Sequence, residues 1–318
     1  MKKVCIKSGI FTEERIQKLR ELSSEIEIVV ADGGKAADAL ADAHAVVGNF
    51  SPDELSVCKH LEFLQLNSSG ADAYAVTDKI SKETTIATVT GAYGIGIAEY
   101  MVAMLLAMMK KIPAYLEDQK KAIWTDEGPV TTPFGKRVLI LGTGNIGMEF
   151  AKRMRPFGCT IVGIRRRPGT CPAELDELYG MDALKEELAK ADVIALALPG
   201  TAETKHLLDA DMLANCKEGA YLMNVGRGNV IPLADLQKPE VTGRFAGIWL
   251  DVVEVEPLPE GHALFSVPNL LLTPHITGGF HLDLTMKQIF EISEHNLKAW
   301  LGEGEYKSVL DRSTGYCF

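Results

Sequence analysis

Cysteine is scarce in this sequence, and its few positions do not form a metal-binding or disulfide pattern. The 318 residues include six cysteines, with no CxxC pair and no cluster with histidine at metal-ligand spacing. They are Cys5, Cys58, Cys159, Cys171, Cys216 and Cys317. Scattered thiols are typical of proteins that stay in a reducing compartment, whereas small secreted domains depend on dense disulfides. We therefore predict a cytoplasmic protein with reduced thiols and no metal site.

The sequence also lacks an excess of basic residues and a long uninterrupted apolar run. Lysine and arginine number 33 against 43 aspartates and glutamates, so the net charge of −10 repels nucleic acid and anionic membranes overall. The most apolar run, Met101 to Met109, is too short to cross a bilayer. These absences leave a small molecule, attracted by local charge, as the expected partner.

What the chain does contain is an alternation of strand-like and helix-like segments. Short apolar runs such as Val4 to Ile6 and Ile26 to Val30 are each followed by a helix-like segment. This alternation predicts α/β structure, in which parallel sheets carry helices on their faces. At roughly 100–200 residues per domain, the chain is long enough for two domains with separate cores.

The strongest single motif is a GxGxxG loop in the middle of the chain, directly after the apolar run Val138 to Leu141. Gly142 permits a tight turn, Gly144 lets the backbone approach a pyrophosphate, and Gly147 lets a helix pack close to the strand. A second apolar run, Thr160 to Ile164, follows at the distance that a βαβ unit requires. The motif predicts a Rossmann unit. Its predicted phosphate-binding residues are Gly142, Thr143, Gly144, Asn145, Ile146 and Gly147.

Three consecutive arginines, Arg165, Arg166 and Arg167, stand directly after the second strand of this unit. An acidic residue at that place accepts hydrogen bonds from the ribose 2′-hydroxyl of NAD, whereas a guanidinium group pairs with a 2′-phosphate. The triplet therefore predicts NADP(H) as the cofactor, with NAD(H) bound less well. A solvated basic corner at a strand end is the structural alternative.

A nucleotide-binding unit that begins in mid-chain suggests one domain inserted into another. An apolar helix candidate, Ile97 to Ile112, precedes the glycine loop, and Pro113 marks its end. A last helix candidate, Leu282 to Leu301, follows the unit. We therefore predict a substrate-binding domain made of residues 1–96 and 281–318, interrupted by an NADP-binding Rossmann domain over residues 97–280.

Three further segments carry charged or titratable side chains directly after strand candidates: Arg227, Glu256 and His275. Because ligands of open α/β sheets bind outside the carboxyl ends of the strands, these side chains could converge on one crevice. Taken singly, Arg227 could be an exposed turn residue, Glu256 one acid among many, and His275 a capped core histidine. Their occurrence together favours a shared catalytic site.

Together these motifs resemble the D-isomer-specific 2-hydroxyacid dehydrogenase family over almost the whole chain. Four of them follow the order of the family: the glycine loop, Val-Gly-Arg-Gly at 225–228, Asp-Val to Glu-Pro-Leu-Pro at 251–259, and Thr-Pro-His at 273–275. The resemblance implies two Rossmann-like or flavodoxin-like domains with parallel sheets, the cofactor domain being inserted into the substrate domain. It also implies a homodimer that forms through the cofactor domain.

The resemblance further implies that Arg227, Glu256 and His275 form the catalytic set. His275 would donate a proton to the C2 oxygen of a 2-oxoacid as hydride arrives from NADPH. Glu256 would orient His275 and favour its charged form, and Arg227 would hold the carboxylate or carbonyl oxygen of the substrate. The other implied contacts are Leu198, Pro199 and Asp251 with the cofactor, and Ser69, Gly70, Arg227 and His275 with the substrate.

The expected activity is NADPH-dependent reduction of a 2-oxoacid to the D-2-hydroxyacid. Relatives that use a similar scaffold leave two alternatives open: a dehydrogenase of another small anion, such as formate or a phosphorus acid, and a nucleotide-sensing, corepressor-like binding protein. Arg165 stands where many family members keep an acid, which weakens any transfer of NAD preference. Trp249 adjoins a motif residue, and we expect it to pack in the core.

Overall fold

The computed structural model describes residues 1–31 and 36–317. The chain divides into two compact units, of which unit 1 comprises Met1–Tyr93 with Phe280–Phe318 and unit 2 comprises Gly94–Gly279. Unit 2 therefore interrupts unit 1 in sequence.

The first part of unit 1 forms a five-stranded parallel sheet. Its strands are β1 (Lys2–Lys7), β2 (Ile26–Ala31), β3 (Ala45–Val47), β4 (Phe63–Gln65) and β5 (Thr85–Ala87). Its helices are α1 (Glu13–Arg20), α2 (Ala36–Ala41), α3 (Pro52–Leu55) and α4 (Asp72–Ala75). The strands lie in the order β2-β1-β3-β4-β5, and all neighbours are parallel. This is the flavodoxin-like order of a doubly wound sheet.

Unit 2 contains a seven-stranded parallel sheet. Its strands are β6 (Arg137–Leu141), β7 (Thr160–Ile164), β8 (Glu177–Tyr179), β9 (Val193–Leu196), β10 (Tyr221–Asn224), β11 (Gly247–Leu250) and β12 (Leu270–Leu272). Its helices are α5 (Gly94–Met109), α6 (Ile112–Lys120), α7 (Asn145–Met154), α8 (Leu184–Lys190), α9 (Ala210–Leu213) and α10 (Pro239–Thr242). The order β12-β11-β10-β9-β6-β7-β8 reverses direction between β6 and β9, as in a Rossmann sheet.

The chain then returns to unit 1 through α11 (Asp283–Trp300), followed by the short hairpin β13 (Leu310–Asp311) and β14 (Tyr316–Cys317). Asn296 of α11 is fully buried and donates to Gln65 Oε1 of β4 at 2.7 Å. Phe290 of α11 meets Phe11 edge to face, with ring centroids 5.5 Å apart. These contacts fix the C-terminal helix to the sheet of the first segment.

Each unit has its own apolar core, as the continuous apolar runs of the sequence predict for strands buried on both faces. In unit 2 every residue of β9, β10 and β11 is buried. Trp249 is fully buried, so the expectation that it packs in the core is confirmed. The predicted α/β class, with two parallel sheets and one unit inserted into the other, is confirmed as well.

The helix predicted over Ile97 to Ile112 has different bounds in the structure. Helix α5 begins at Gly94 and ends at Met109, and Lys111 then adopts a left-handed conformation with φ of 56°. Pro113 lies in the first turn of α6 rather than beyond the end of a helix. Proline is tolerated there because a first-turn N–H has no intrahelical acceptor. Within the described ranges, the structure contains no helix long and apolar enough to span a membrane.

An arginine and two glutamates tie three elements of unit 2 together. Arg137 at the start of β6 donates to both carboxylate oxygens of Glu177 in β8, at 3.0 and 2.6 Å. Its Nε donates to Glu187 of α8 at 3.0 Å. The hydrogen bonds from Arg137 and Tyr179 lower the pKa of Glu177 to about 2. These hydrogen bonds hold the amino end of β6 to β8 and α8.

Candidate active site

The site residues predicted in unit 2 lie on loops that leave the carboxyl ends of strands, or in the helix turn that follows. Gly142 comes after β6, Leu198 after β9 and Arg227 after β10. Asp251 and His275 follow β11 and β12. Because all neighbouring strands are parallel, their carboxyl ends share one edge of the sheet. The glycine loop and the Leu198 loop flank the point where the strand order reverses, which is where open α/β sheets bind ligands.

The three glycines of the loop have different surroundings. Gly142 has a φ of 96°, and a Cβ there would lie 2.6 Å from the carbonyl oxygen of Ala197. A Cβ on Gly147 would collide with the carbonyl oxygen of Gly142. A Cβ on Gly144, in contrast, would meet nothing within 4 Å. Packing therefore requires Gly142 and Gly147, whereas the space beside Gly144 is open to a ligand.

The helix that follows the loop presents an uncapped N-terminus. Helix α7 begins at Asn145, and no side chain caps it or places an acid in its first turn. The hydroxyl of Thr143 is buried and has no hydrogen-bond partner among the described residues. Free N–H groups, the helix dipole and an unsatisfied hydroxyl all suit a phosphate. Of the remaining loop residues, Ile146 is half-buried and Asn145 is exposed.

The segment around Leu198 and Pro199 lies between the glycine loop and the Arg227 loop. The carbonyl oxygen of Ala197, just before this segment, packs against Gly142. A Cβ on Gly226 would lie 2.5 Å from the carbonyl oxygen of Leu198. Side chains at Gly142 or Gly226 would therefore force these loops apart. The structure places the predicted cofactor segment next to the predicted catalytic arginine.

The arginine triplet is exposed and directly follows β7. The backbone N–H of Arg165 donates to the carbonyl oxygen of Tyr179 at 3.2 Å, which fixes the start of the triplet to the end of β8. Arg166 Nη1 lies 3.5 Å from a carboxylate oxygen of Glu203. Arg165 is the first residue after β7.

Asn224 at the end of β10 shapes the loop that carries Arg227. Its side-chain amide donates to the carbonyl oxygen of Arg227 at 3.0 Å, and its side-chain oxygen accepts from the N–H of Gly226 at 3.0 Å. Arg227 is half-buried, and its Nη1 donates to the Gly226 carbonyl at 2.9 Å. Gly228 packs directly on the backbone of Val253, so no side chain fits there. The Arg227 loop and the Val253 to Glu256 loop are therefore in contact.

His275 and Glu256 are in direct contact. Glu256 Oε2 lies 2.7 Å from His275 Nδ1, and Glu256 Oε1 accepts from the N–H of Val253 at 2.9 Å. The His275 side chain is 52% exposed and that of Glu256 is 35% exposed. Because the carboxylate accepts from Nδ1, the ring presents Nε2 to a ligand. This arrangement orients the ring and leaves Nε2 available for proton transfer.

The residues predicted in unit 1, Ser69 and Gly70, lie on the loop that leaves the carboxyl end of β4. Ser68 Oγ donates to the carbonyl oxygen of Gly70 at 2.7 Å, which tightens the loop. Within residues 1–31 and 36–317, neither the N–H of Ser69 nor that of Gly70 has a hydrogen-bond acceptor. Two adjacent unpaired N–H groups can bind a carboxylate.

Asn67 is a polar residue that the sequence did not single out as a ligand. It is 1% exposed, and its side-chain nitrogen and oxygen have no partner among the described residues. Its backbone is held, since Tyr93 Oη donates to the Asn67 carbonyl and Asn49 Oδ1 accepts from its N–H at 2.8 Å. The unsatisfied side-chain amide of Asn67, next to the loop that carries Ser69 and Gly70, is a feature that only the structure reveals.

The structure contains a second histidine–glutamate pair, which sequence reasoning missed because its members are far apart in the chain. His206 Nε2 contacts Glu254 Oε1, and Glu254 Oε2 accepts from the N–H of Leu233 at 2.8 Å. The backbone N–H of Leu233 and the His206 ring lower the pKa of Glu254. No group of three or more histidine, cysteine or acidic side chains suited to a metal ion occurs in the part of the chain described.

The chain is similar to known proteins over most of its length. Residues 102–277, more than half of the chain, match the family model described as "D-isomer specific 2-hydroxyacid dehydrogenase, NAD binding domain". A crystal structure of a D-isomer specific 2-hydroxyacid dehydrogenase family protein from Aeromonas salmonicida is 31% identical, with a TM-score of 0.86 and coverage of 98% of this chain and 99% of that one.

Two curated relatives have named activities. Human glyoxylate reductase/hydroxypyruvate reductase is 32% identical over 210 residues, which are 64% of this chain and 63% of the relative. D-lactate dehydrogenase of Streptococcus pyogenes is 29% identical over 267 residues, covering 78% of this chain and 79% of the relative. Their names differ in the substrate, which is glyoxylate or hydroxypyruvate for the first and D-lactate for the second.

Proposed function

Because the chain belongs to the D-isomer-specific 2-hydroxyacid dehydrogenase family, we propose that it reduces a 2-oxoacid to the D-2-hydroxyacid with NADPH. The observation that carries the proposal is the 2.7 Å contact between Glu256 and His275, on the same edge of the sheet as the glycine loop. A histidine ring oriented by a carboxylate, on the sheet edge that carries the glycine loop, is the arrangement that proton transfer to a carbonyl oxygen requires.

In this proposal His275 is the proton donor. Glu256 accepts from Nδ1 and stabilises the imidazolium, and Nε2 delivers the proton to the C2 oxygen as that oxygen gains negative charge. In the reverse direction the neutral ring takes the proton from the hydroxyl group. The exposure of His275 leaves room for a substrate at Nε2.

Arg227 holds the substrate beside that ring. A guanidinium group can form two parallel hydrogen bonds with a carboxylate or bind a developing alkoxide. Asn224 fixes the backbone on both sides of Arg227, so the position of the guanidinium stem is set before the substrate arrives. Because the group is already in position, no free energy is spent on moving it during the reaction, and the activation barrier is lower.

The cofactor residues fit a dinucleotide with a 2′-phosphate. When bound, the nicotinamide supplies the hydride that reduces C2. The open space at Gly144, the buried hydroxyl of Thr143 and the N-terminus of α7 suit the pyrophosphate. Arg165, Arg166 and Arg167 would pair with the 2′-phosphate, because guanidinium groups bind phosphate strongly and a neutral hydroxyl weakly.

The loop of unit 1 would bind the carboxylate of the substrate. The N–H groups of Ser69 and Gly70 are free to donate, and Asn67 adds a buried amide that needs a partner. Leaving such an amide unpaired costs about 1–3 kcal/mol, so a ligand that satisfies it gains affinity.

For the oligomeric state we propose a homodimer through unit 2. Helix α6 buries none of its residues, and the segment after it returns to α6 through bonds such as Glu127 N to Tyr115 Oη at 3.2 Å. Large apolar side chains of this region are exposed: Ile112, Leu116, Ile123, Trp124, Val130 and Phe134. An exposed apolar patch of this kind is typical of a self-complementary interface. Trp124→Asp should shift the mass measured by light scattering to that of a monomer.

Steady-state kinetics test the reaction. Purified protein is assayed for oxidation of NADPH, and separately of NADH, with glyoxylate, hydroxypyruvate, pyruvate and larger 2-oxoacids. We expect turnover with a preference for NADPH and its loss in His275→Ala. Tight binding of NADPH without turnover of any substrate would contradict the proposal and favour a nucleotide sensor.

The preference for NADPH has its own test. Replacing Arg165, Arg166 and Arg167 together by alanine should raise the KM for NADPH about 10- to 100-fold and leave the KM for NADH nearly unchanged. Arg20→Ala in unit 1, which removes an exposed arginine far from β7 in sequence, is the control. Equal rises in both KM values would mean that the triplet does not read the 2′-phosphate.

A further inference from the structure

A cavity of about 400 Å³ lies at the amino edge of the sheet in unit 1. His44 directly precedes β3, Glu62 precedes β4 and Thr84 precedes β5, and all three residues line the cavity. Because neighbouring strands of this sheet are parallel, their amino ends share one edge. The loop that carries Ser69 and Gly70 leaves the opposite edge. The cavity is therefore separate from the proposed substrate-binding loop, and its volume is enough for a small molecule.

Three backbone carbonyl groups of the cavity wall already have donors within the protein. Arg312 donates to the carbonyl oxygen of Ile80 at 3.2 Å and to that of Ser81 at 2.9 Å. Thr84 Oγ1 donates to the carbonyl oxygen of Leu61 at 2.7 Å. Each of these acceptors is satisfied, so none of them needs a ligand.

The backbone N–H groups of the same wall have no such partners. Within residues 1–31 and 36–317, no acceptor is bonded to the N–H of His60, Leu61, Ile80 or Ser81. These four residues form two adjacent pairs, and all of them line the cavity. Successive backbone N–H groups can bind an anionic oxygen together. The wall therefore offers free donors beside carbonyl groups that are already bonded.

Two histidine rings add side-chain donors. The N–H of Lys3 donates to His44 Nδ1 at 3.2 Å, so the proton of the neutral ring lies on Nε2. The ring of His60 stacks on that of His44, with centroids 6.0 Å apart and an angle of 22° between the planes. Over the described ranges, the nitrogens of the His60 ring have no hydrogen-bond partner. Both rings can donate to a ligand in the cavity.

The charged side chains of the cavity also favour an anion. Lys59 is exposed and forms no ion pair in the part of the chain that the structure describes, whereas Lys79 is paired with Asp53. Among the described residues of the lining, Glu62 is the only acid. Its Oε2 accepts from Lys2 Nζ at 2.6 Å. Lys59 is therefore a free cation next to a carboxylate that already has a partner.

The cysteine of the lining, Cys58, does not change this balance. Burial raises the pKa of its thiol to about 11, so the thiol is neutral at pH 7. Cys58 and the two histidines are not a metal site either, since the described residues include no group of three such side chains placed for a metal ion. The chemistry of the cavity is that of hydrogen-bond donors and cations.

We propose that this cavity binds a small anion through a phosphate or carboxylate group, with Lys59, His60 and His44 as its side-chain donors. The free N–H groups of the wall bind further oxygens of the ligand. Because the whole chain has a net charge of −10, only a local excess of donors of this kind attracts an anion. The site is independent of the proposed reaction, since its residues all lie at the amino edge of unit 1.

Calorimetric titration with inorganic phosphate and, separately, with citrate tests this site. The protein is first saturated with NADPH, so that the glycine loop is occupied. We expect one or both anions to bind the wild type. Replacing Lys59 and His60 together by glutamine should weaken that binding at least about 10-fold, because two side-chain donors to an anion are lost. The anion that binds more tightly shows whether the site prefers a phosphate or a carboxylate group.

The control replaces Lys18 and His281 together by glutamine. Both are exposed residues of unit 1 outside the lining of the cavity, so the chemical change is the same and the place differs. The affinity of this variant should equal that of the wild type. Lys59 and His60 are exposed as well, and neither pair of substitutions removes a contact of the core.

Nuclear magnetic resonance of the histidine rings locates the bound anion. Addition of the anion should shift the ring signals of His44 and His60. The signals of His295, whose Nε2 lies 2.9 Å from the carbonyl oxygen of Glu305, should stay unchanged. Wild-type affinity in the Lys59 and His60 variant would overturn the proposal, and so would shifts confined to other histidines. Failure of both anions to bind the wild type would overturn it too.

Discussion

Two histidine–glutamate pairs in unit 2 have the same chemistry and different surroundings. Glu254 and Glu256 lie two residues apart, and each contacts a histidine ring. Glu254 also accepts from the N–H of Leu233, so it connects three separate segments. Glu256 accepts from Val253, within its own turn. A pair that connects three segments stabilises the fold, whereas the pair of His275 and Glu256 joins only the loops after β11 and β12 and leaves 52% of the histidine side chain exposed, so it can exchange a proton with a ligand.

The largest expected effect is the loss of the proton donor. His275→Asn should lower kcat for 2-oxoacid reduction about 1,000-fold, because general acid catalysis contributes 10²–10⁴-fold. His206→Asn, the same change in the other pair, should leave kcat close to the wild-type value. Steady-state kinetics with saturating NADPH measure both variants. Comparable losses in the two would show that the pairs do not differ in role.

The second prediction concerns the carboxylate of Glu256. Glu256→Gln keeps the size of the side chain and removes the charge beside His275 Nδ1, so it should lower kcat for 2-oxoacid reduction about 10- to 100-fold. Steady-state kinetics with saturating NADPH check this, and a wild-type kcat in the variant would refute it.

The third prediction compares the two glutamates by stability instead of activity. Glu254→Ala should lower the free energy of unfolding by about 1–2 kcal/mol, because it leaves the N–H of Leu233 without its acceptor. Since the pKa of Glu254 is lowered, this contribution is present above the ordinary value of 4.5 and is lost as pH falls. Glu256→Ala should cost less stability and more activity. Urea unfolding at pH 7 and pH 4 distinguishes the two variants.

The smallest expected effect is the loss of stability when Glu177, the partner of Arg137, is replaced. Arg137 lowers the pKa of Glu177 to about 2, so the stabilisation is complete above 4.5 and disappears between 4.5 and about 2. Because Glu177 is about one-third exposed, Glu177→Gln should cost only about 1 kcal/mol at neutral pH. The difference from wild type should vanish near pH 2. Unfolding followed by circular dichroism between pH 7 and 2 provides the measurement.

The sequence predicted the fold and the family well because both depend on local patterns. Strands that are buried on both faces form continuous apolar runs, which glycine-rich turns separate. This pattern predicted two parallel sheets, with the segment that forms one unit inserted into the sequence of the other. The family resemblance was likewise confirmed by the matched model. The catalytic roles of Arg227, Glu256 and His275 remain proposals. So do the cofactor contacts and the preference for NADPH.

Contacts between distant residues were beyond the reach of sequence patterns. The contact of His206 with Glu254 joins positions 48 residues apart, and Thr277 meets Asp251 across 26 residues. The cofactor contact of Asp251 stays a prediction, and its burial and its bonds from Thr273 and Thr277 became visible only in the structure. The unsatisfied amide of Asn67 and the exposed apolar side chains after α6 are further examples.

The sequence by itself determined which residue types stand at the strand ends, since hydrophobic periodicity locates each strand and the motif begins where the strand stops. The tertiary structure decided which of those residues touch, because hydrogen bonds depend on sheet order, loop path and backbone conformation to within a few tenths of an ångström. The glycine loop could therefore be found in the sequence. The hydrogen bond from the N–H of His275 to the carbonyl oxygen of Asp251 could be found only in the structure, where the carboxyl ends of β11 and β12 lie side by side.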